Sequence, residues 1–167
     1  NSLYALGRDA MRAHEDARER VAAAIGAERP GEVIFTSGGT ESDNTAIIGL
    51  ATAGGRSSGH VIVSAFEHHA VLGPASWLCT RGFEVTELAP RADGVVHPDD
   101  LAAAMRDDTV LVSVMHGNNE IGTLQPLAEL AAVAHERGAL LHTDAAQTVG
   151  KVPFDVCALG VDAATLT

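Results

Sequence analysis

The sequence predicts a three-layer α/β domain built on a mostly parallel sheet. Three observations lead there. Short apolar runs alternate with longer segments of helical period from residue 32 to 166, the pattern of strand–helix–strand units with right-handed crossovers. The chain is 46% hydrophobic but only 4% aromatic, with 17 glycines; that mix suits strands covered by Ala- and Leu-rich helices. Four polar motifs follow four of the expected strands, at residues 37–44, 67–69, 118–123 and 142–147. In an open parallel sheet, ligands bind at the carboxyl ends of the strands. The 167 residues suffice for one domain with a sizeable core, and no repeat, low-complexity tract or linker divides them.

The elements follow in order. Ala13, Ala17, Val21 and Ile25 recur at helical spacing, so residues 8–25 form a helix that Gly26 stops. Residues 32–36 are a short strand, and a Gly-Gly loop leads into a helix over about 41–53. The loop at 54–59 is rich in Gly and Ser. A strand at 60–64 precedes a helix over about 68–80, and 83–88 alternates like a half-buried strand. Pro98 and Asp99 open a helix to about Met105. The run at 109–115 is apolar enough for a strand buried on both faces. Pro126 starts a helix ending at Arg137-Gly138, and strands follow at 139–143 and 161–166.

Charge and cysteine usage narrow the class. The net charge is −11, spread along the chain, which argues against nucleic acid or an anionic membrane as partner. No apolar run is long enough to span a bilayer, and the N-terminus lacks the regions of a signal peptide. Cys79 and Cys157 are far apart and fit no metal spacing; they read as reduced packing residues of a cytoplasmic protein. The chain starts at Asn1 and stops at Thr167, straight after a strand-like run. Both ends read as cut.

Each motif has a plain reading beside a functional one. Thr36-Ser37-Gly38-Gly39-Thr40 lets the backbone approach an anion closely, with helix-start N–H groups and the Thr40 hydroxyl to hold phosphate oxygens. It also reads as a tight turn with Thr40 as helix N-cap. His68 and His69 point to different faces of a helix, so one can face a site as a stacking or proton-transfer group; the pair also suits a polar helix start. Asn118 and Asn119 can bond a ligand or shape a turn. Asp144 ends a buried strand. At that depth a carboxylate needs a cation, such as a protonated pyridine nitrogen, or strong donors, and capping the next helix would supply the latter. His142 and Asp144 lack a third ligand, so no metal is expected. Lys151, the one lysine against ten arginines, reads as a solvated structural residue in a loop, away from the strand end.

Taken together, the motifs Phe-Thr-Ser-Gly-Gly-Thr-Glu-Ser-Asp-Asn (35–44), Glu-His-His-Ala-Val-Leu (67–72), Asn-Asn-Glu-Ile-Gly-Thr (118–123) and His-Thr-Asp-Ala-Ala-Gln-Thr-Val-Gly-Lys (142–151) resemble the fold-type I pyridoxal-phosphate enzymes of aminotransferase class V. They look most like the NifS-like cysteine desulfurases. The resemblance implies that Gly39 and Thr40 bind the cofactor phosphate, with Thr167 at a third phosphate position. It implies that His68 stacks on the pyridine ring and shuttles protons. Asn119 would lie near the 3′-oxygen and the substrate carboxylate, Asp144 would pair with the ring nitrogen, and Gln147 would bond the 3′-oxygen.

The reaction so implied takes L-cysteine to L-alanine and leaves a persulfide on an enzyme cysteine, feeding a sulfur acceptor such as an iron–sulfur scaffold. Residues 1–167 would be part of the large domain of a homodimer. The Schiff-base lysine, the persulfide cysteine and the small C-terminal domain would lie past Thr167, so the 167-residue chain alone is expected to be inactive. Another class V activity (aminotransferase or selenocysteine lyase) and a non-catalytic binding remnant stay open as alternatives.

Overall fold

The computed structural model describes residues 4–167. Five strands, β1 (Gly59–Ser64), β2 (Phe83–Leu88), β3 (Thr109–Ser113), β4 (Leu140–Asp144) and β5 (Ala163–Thr165), make one sheet in the order β2-β1-β3-β4-β5. Every pairing is parallel. The helices are α1 (Ala5–Ile25), α2 (Gly39–Ala51), α3 (His69–Cys79), α4 (Pro98–Ala104), α5 (Leu127–Glu136) and α6 (Val156–Leu159).

Alternation along the strands sorts the core into two faces. Val61, Val63 and Leu111 pack with Ile47 and Ala51 of α2 and Val71, Ala75 and Leu78 of α3. Ile62, Val112 and Leu141 pack with Leu101 of α4 and Leu127 and Leu130 of α5. Both faces of β1 and β3 are therefore apolar, as parallel strands require. Each fully buried leucine contributes roughly 2 kcal/mol through apolar burial.

The helix ends follow local chemistry. α4 begins with Pro98 and has Asp99 and Asp100 in its first turn, where the helix dipole favours anions. α1 ends at Gly26, whose φ of 71° is left-handed and whose N–H returns to the Ala22 carbonyl. A Cβ there would also lie 2.5 Å from the Asp155 carboxyl group.

Two expectations about elements and one about the cysteines need correcting here. Residues 32–36 are not a strand: Pro30–Glu32 is a 3₁₀ turn and 33–36 run without a ladder partner. The apolar run gives an extended backbone, but a strand needs a neighbour to pair with. Here the Val33 carbonyl is taken by Arg18 instead, and Phe35 packs on the His14 ring, leaving Ile34 75% exposed. α1 buries only Ala22 and Ile25, so Ala13 and Ala17 on its predicted apolar face remain exposed. Cys79 and Cys157 are free but exposed, and so are not core packing residues.

The strand order matters most for function. After β1 the chain runs outward through α3 to β2, then returns to place β3 on the other side of β1. This is a topological switch point, where neighbouring carboxyl-end loops diverge and leave a crevice. The loops that flank it follow Ser64 and Ser113.

Candidate active site

The Gly-Gly loop becomes the start of α2. Gly38 is the N-cap and no side chain caps the helix. Thr40 is thus the second helical residue rather than the N-cap. The loop is shaped one step earlier, where the Thr36 hydroxyl donates to the Gly38 carbonyl (3.0 Å) and Glu41 accepts from the Ser37 N–H (2.6 Å). That leaves the exposed Thr40 hydroxyl beside first-turn N–H groups that the helix cannot satisfy. A Cβ on Gly39 would sit 2.7 Å from Thr167 Cγ2. A side chain at position 39 would press on that methyl group, so glycine leaves room for Thr167 beside the start of α2.

His68 precedes α3 as its N-cap, with Nδ1 accepting from the Ala70 N–H at 3.1 Å. The helix-start reading is the one this bond bears out. The cap occupies Nδ1 and leaves Nε2 as the ring nitrogen open to another partner. His68 lines a cavity of about 460 Å³ together with Thr40 and Asn44. His69 lines the same cavity, its ring 6.3 Å from that of His68 and inclined to it by 58°.

Of the two asparagines, the turn reading holds for Asn118. Asn118 is buried and shapes the turn: Oδ1 accepts from the Glu120 and Ile121 N–H groups at 2.8 and 3.0 Å, and Nδ2 donates to the Phe66 carbonyl at 3.3 Å. Asn119 follows it and is exposed. The Asn118–Phe66 bond ties the loop after β3 to the turn that carries His68.

At the end of β4, Asp144 is buried. Its Oδ1 accepts from the Ala146 N–H at 2.9 Å, and no described side chain donates to Oδ2. The expected next helix does not form, since residues 146–151 are turns, so the carboxylate caps a turn instead. His142 is fully buried. Its ring bonds the Ser113 hydroxyl at 2.9 Å and that of Thr165 at 3.1 Å, and burial pushes it down to about 4. It is neutral at ordinary pH and is spent on the sheet. Among the described residues no group of three or more His, Cys, Asp or Glu side chains could hold a metal ion.

Gln147 is exposed on the turn after Asp144, and its Oε1 accepts from Lys151 Nζ at 3.2 Å. Lys151 is exposed, as expected, but four residues of turn bring its ammonium back to Gln147. The expectation that it stays away from the strand-end residues is corrected to that extent.

The whole chain, residues 1–167, matches the aminotransferase class-V family. The chain belongs to that family. It is 52% identical, over 97% of its length, to a cysteine desulfurase IscS of Dictyoglomus turgidum, of which it covers 41%. Two solved structures superpose closely. One, SspA in complex with cysteine, has a TM-score of 0.91 at 40% identity, covering 96% of this chain and 46% of that one. The other, a NifS-like protein, has a TM-score of 0.92 at 36% identity, covering 100% of this chain and 47% of that one. The chain thus spans about two fifths of the length of the curated relative it matches.

Two class V motifs carry buried acids that the sequence reading quoted without assigning a role. Asp43 is 2% exposed, shares a hydrogen bond with Thr165, and has Oδ1 without a partner 3.7 Å from His142 Nε2. Burial raises it to about 6, opposed by the Thr165 bond and reinforced by Asp144. Its spacing held the signal: Asp43, Ile47 and Ala51 recur every four residues and form the buried stripe of α2. Glu67 is the second such acid; no periodicity marks it, because it lies in a turn.

Proposed function

We propose that residues 1–167 are part of the large domain of a pyridoxal 5′-phosphate-dependent cysteine desulfurase. The observation that carries this reading is Asp144: a buried carboxylate at a strand end, one oxygen capped and the other offered to a cation that no described residue provides. The cofactor has a cationic ring nitrogen, a phosphate, a flat ring and an acceptor 3′-oxygen. The donor set fits each of these. Gly39, Thr40 and Thr167 would hold the phosphate, and His68 would cover the ring. Asp144 would hold the ring nitrogen protonated, Gln147 would donate to the 3′-oxygen, and Asn119 would reach that oxygen and the substrate carboxylate.

When bound, the cofactor supplies an electron sink. The protein's part is position and charge. Asp144 keeps a negative charge where positive charge must persist. The Ala70 N–H occupies His68 Nδ1, so Nε2–H is the ring group that His68 would offer, as a hydrogen-bond donor. Cysteine would lose its sulfur to a cysteine thiol outside 1–167, giving alanine and a persulfide for an acceptor such as an iron–sulfur scaffold. A homodimer in the cytoplasm is part of this reading.

The test is direct. Purified full-length protein with added pyridoxal phosphate is expected to convert cysteine to alanine and, with a thiol reductant, to sulfide. The isolated 167 residues are expected to release neither. A full-length protein that only transaminates would overturn the desulfurase reading while leaving the cofactor reading in place.

A further inference from the structure

Glu67 is the buried acid that the proposed function does not use. It lies at the switch point between β1 and β3 and is 7% exposed. Its Oε1 accepts twice, from the Ser64 hydroxyl at 2.5 Å and from the Met115 N–H at 2.6 Å. Ser64 ends β1, Met115 lies just beyond β3, and Glu67 is followed at once by His68. One oxygen therefore fastens the turn that carries His68 to the exit of the neighbouring strand.

The other oxygen, Oε2, is buried with no partner. The titratable groups facing it are Asp144 from β4 and Asp43 from α2. Ser64 of β1 and the Met115 amide just beyond β3 bring no charge, and no cation among the described residues pairs with it. An ionised carboxylate here would leave charge on an unsolvated oxygen beside two other acids, which is strongly unfavourable. A proton on Oε2 removes that cost, and Oε1 keeps its lone pairs for both donors. Consistently, burial pushes Glu67 up to about 8.

The geometry points to Glu67 as a positioning residue that works as an uncharged carboxylic acid. Its Oε1 locks the His68 turn onto the end of β3, and the proton on Oε2 keeps a third negative charge away from Asp43 and Asp144. The link to cofactor binding rests on the function proposed above; the protonated lock does not.

The experiment uses full-length protein as wild type, Glu67→Gln, Glu67→Ala and Ser64→Ala. One readout is the dissociation constant for pyridoxal phosphate, followed by its visible absorbance. The other is the melting midpoint of cofactor-free protein from pH 5 to 9. Glutamine keeps the acceptor and carries no charge, so Glu67→Gln is expected to hold the cofactor within roughly threefold of wild type. Glu67→Ala is expected to weaken it by roughly tenfold or more, and Ser64→Ala, which removes one donor, by roughly threefold. Ser64→Ala carries this arm if Glu67→Ala does not fold.

The pH arm has a defined sign. A folded-state pKa raised above the ordinary carboxyl value means that wild type loses stability as pH rises from about 4.5 to about 8. Glu67→Gln lacks that loss, so its midpoint should gain on wild type across this window and level off above it. A midpoint difference that is flat with pH, or a Glu67→Gln variant as damaged as Glu67→Ala, would overturn the neutral acid. Unchanged cofactor affinity in Ser64→Ala and in any folded Glu67→Ala would overturn the positioning role. A wild type that binds no pyridoxal phosphate would overturn the proposed function, and the pH arm would still decide the protonation state.

Discussion

His60 and His142 sit near opposite ends of the same sheet and are held in the same way. The His60 ring bridges Thr109 and Thr86 on the strands to either side, both at 2.8 Å. The His142 ring bridges Ser113 and Thr165 in the same manner. The surroundings differ. At the amino edge every acid near His60 has a partner: the Arg106 guanidinium meets Glu84 at 2.5 Å and Asp108 at 3.0 Å, and the Arg106 N–H donates to Thr109 Oγ1. At the carboxyl edge Asp43 Oδ1 and Glu67 Oε2 are buried without partners, and Asp144 has one oxygen to spare. A buried polar residue is therefore no site marker in itself. Buried acids left short of donors are, because a folded chain rarely tolerates them without a use.

The comparison breaks if variants at the two edges behave alike. The largest expected effect is at Asp144. In the full-length protein, Asp144→Ala should lower turnover by roughly three orders of magnitude or more and weaken cofactor binding, because the ring nitrogen loses its counter-charge. Thermal stability should change little, since among the described residues the carboxylate bonds only the Ala146 N–H. Near-normal turnover would remove Asp144 from the site. The amino-edge counterpart is Thr109→Val, which strips partners from His60 Nδ1 and the Arg106 N–H. Denaturant unfolding should show a loss of about 1–3 kcal/mol, with the dissociation constant for pyridoxal phosphate unchanged.

Acid sensitivity sharpens the contrast. His142 titrates near 4 when folded, against 6.5 ordinarily. Its contribution is fully present above pH 6.5 and is lost as pH falls toward 4, because the unfolded chain takes up the proton first. Asp43 and Glu67 are raised and act oppositely, losing stability as pH rises. His142→Gln should remove the acid limb alone. Its stability relative to wild type should improve by on the order of 3 kcal/mol between pH 7 and pH 4, read by denaturant unfolding at several pH values. An unchanged difference would mean that His142 is not held neutral.

How much of this the sequence carried depends on the range of the signal. Apolar patterning together with Gly and Pro boundary signals located the five strands and five of the six α-helices among the described residues, because burial and chain reversal write themselves into local sequence. It misplaced residues 32–36, since an apolar run specifies extended backbone but not a partner strand. Asp144 and the Gly39-Thr40 pair were legible because backbone chemistry at a strand end or helix start is local. Glu67 was not: its partners, Ser64 and Met115, are 3 and 48 residues away in sequence. Only the strand order, which places β3 beside β1, brings the latter close. Asn118 and Asn119 could be told apart only once the turn bonds of Asn118 were known.

Lys151 offers the smallest effect and the finest test of the rule. It too lies at the carboxyl edge and reaches a proposed cofactor ligand, yet both it and Gln147 are exposed and their bond is 3.2 Å long. Such a contact is worth well under about 1 kcal/mol. A lysine ammonium only donates, so it holds the Gln147 oxygen and leaves the amide N–H₂ group for an acceptor. Lys151→Ala in the full-length protein should therefore change cofactor affinity by no more than about threefold and leave the melting midpoint in place. If location on that edge were enough to make a residue functional, the loss would match that of Asp144→Ala. A small loss would show that burial without a partner, rather than position alone, separates the working acids from their neighbours.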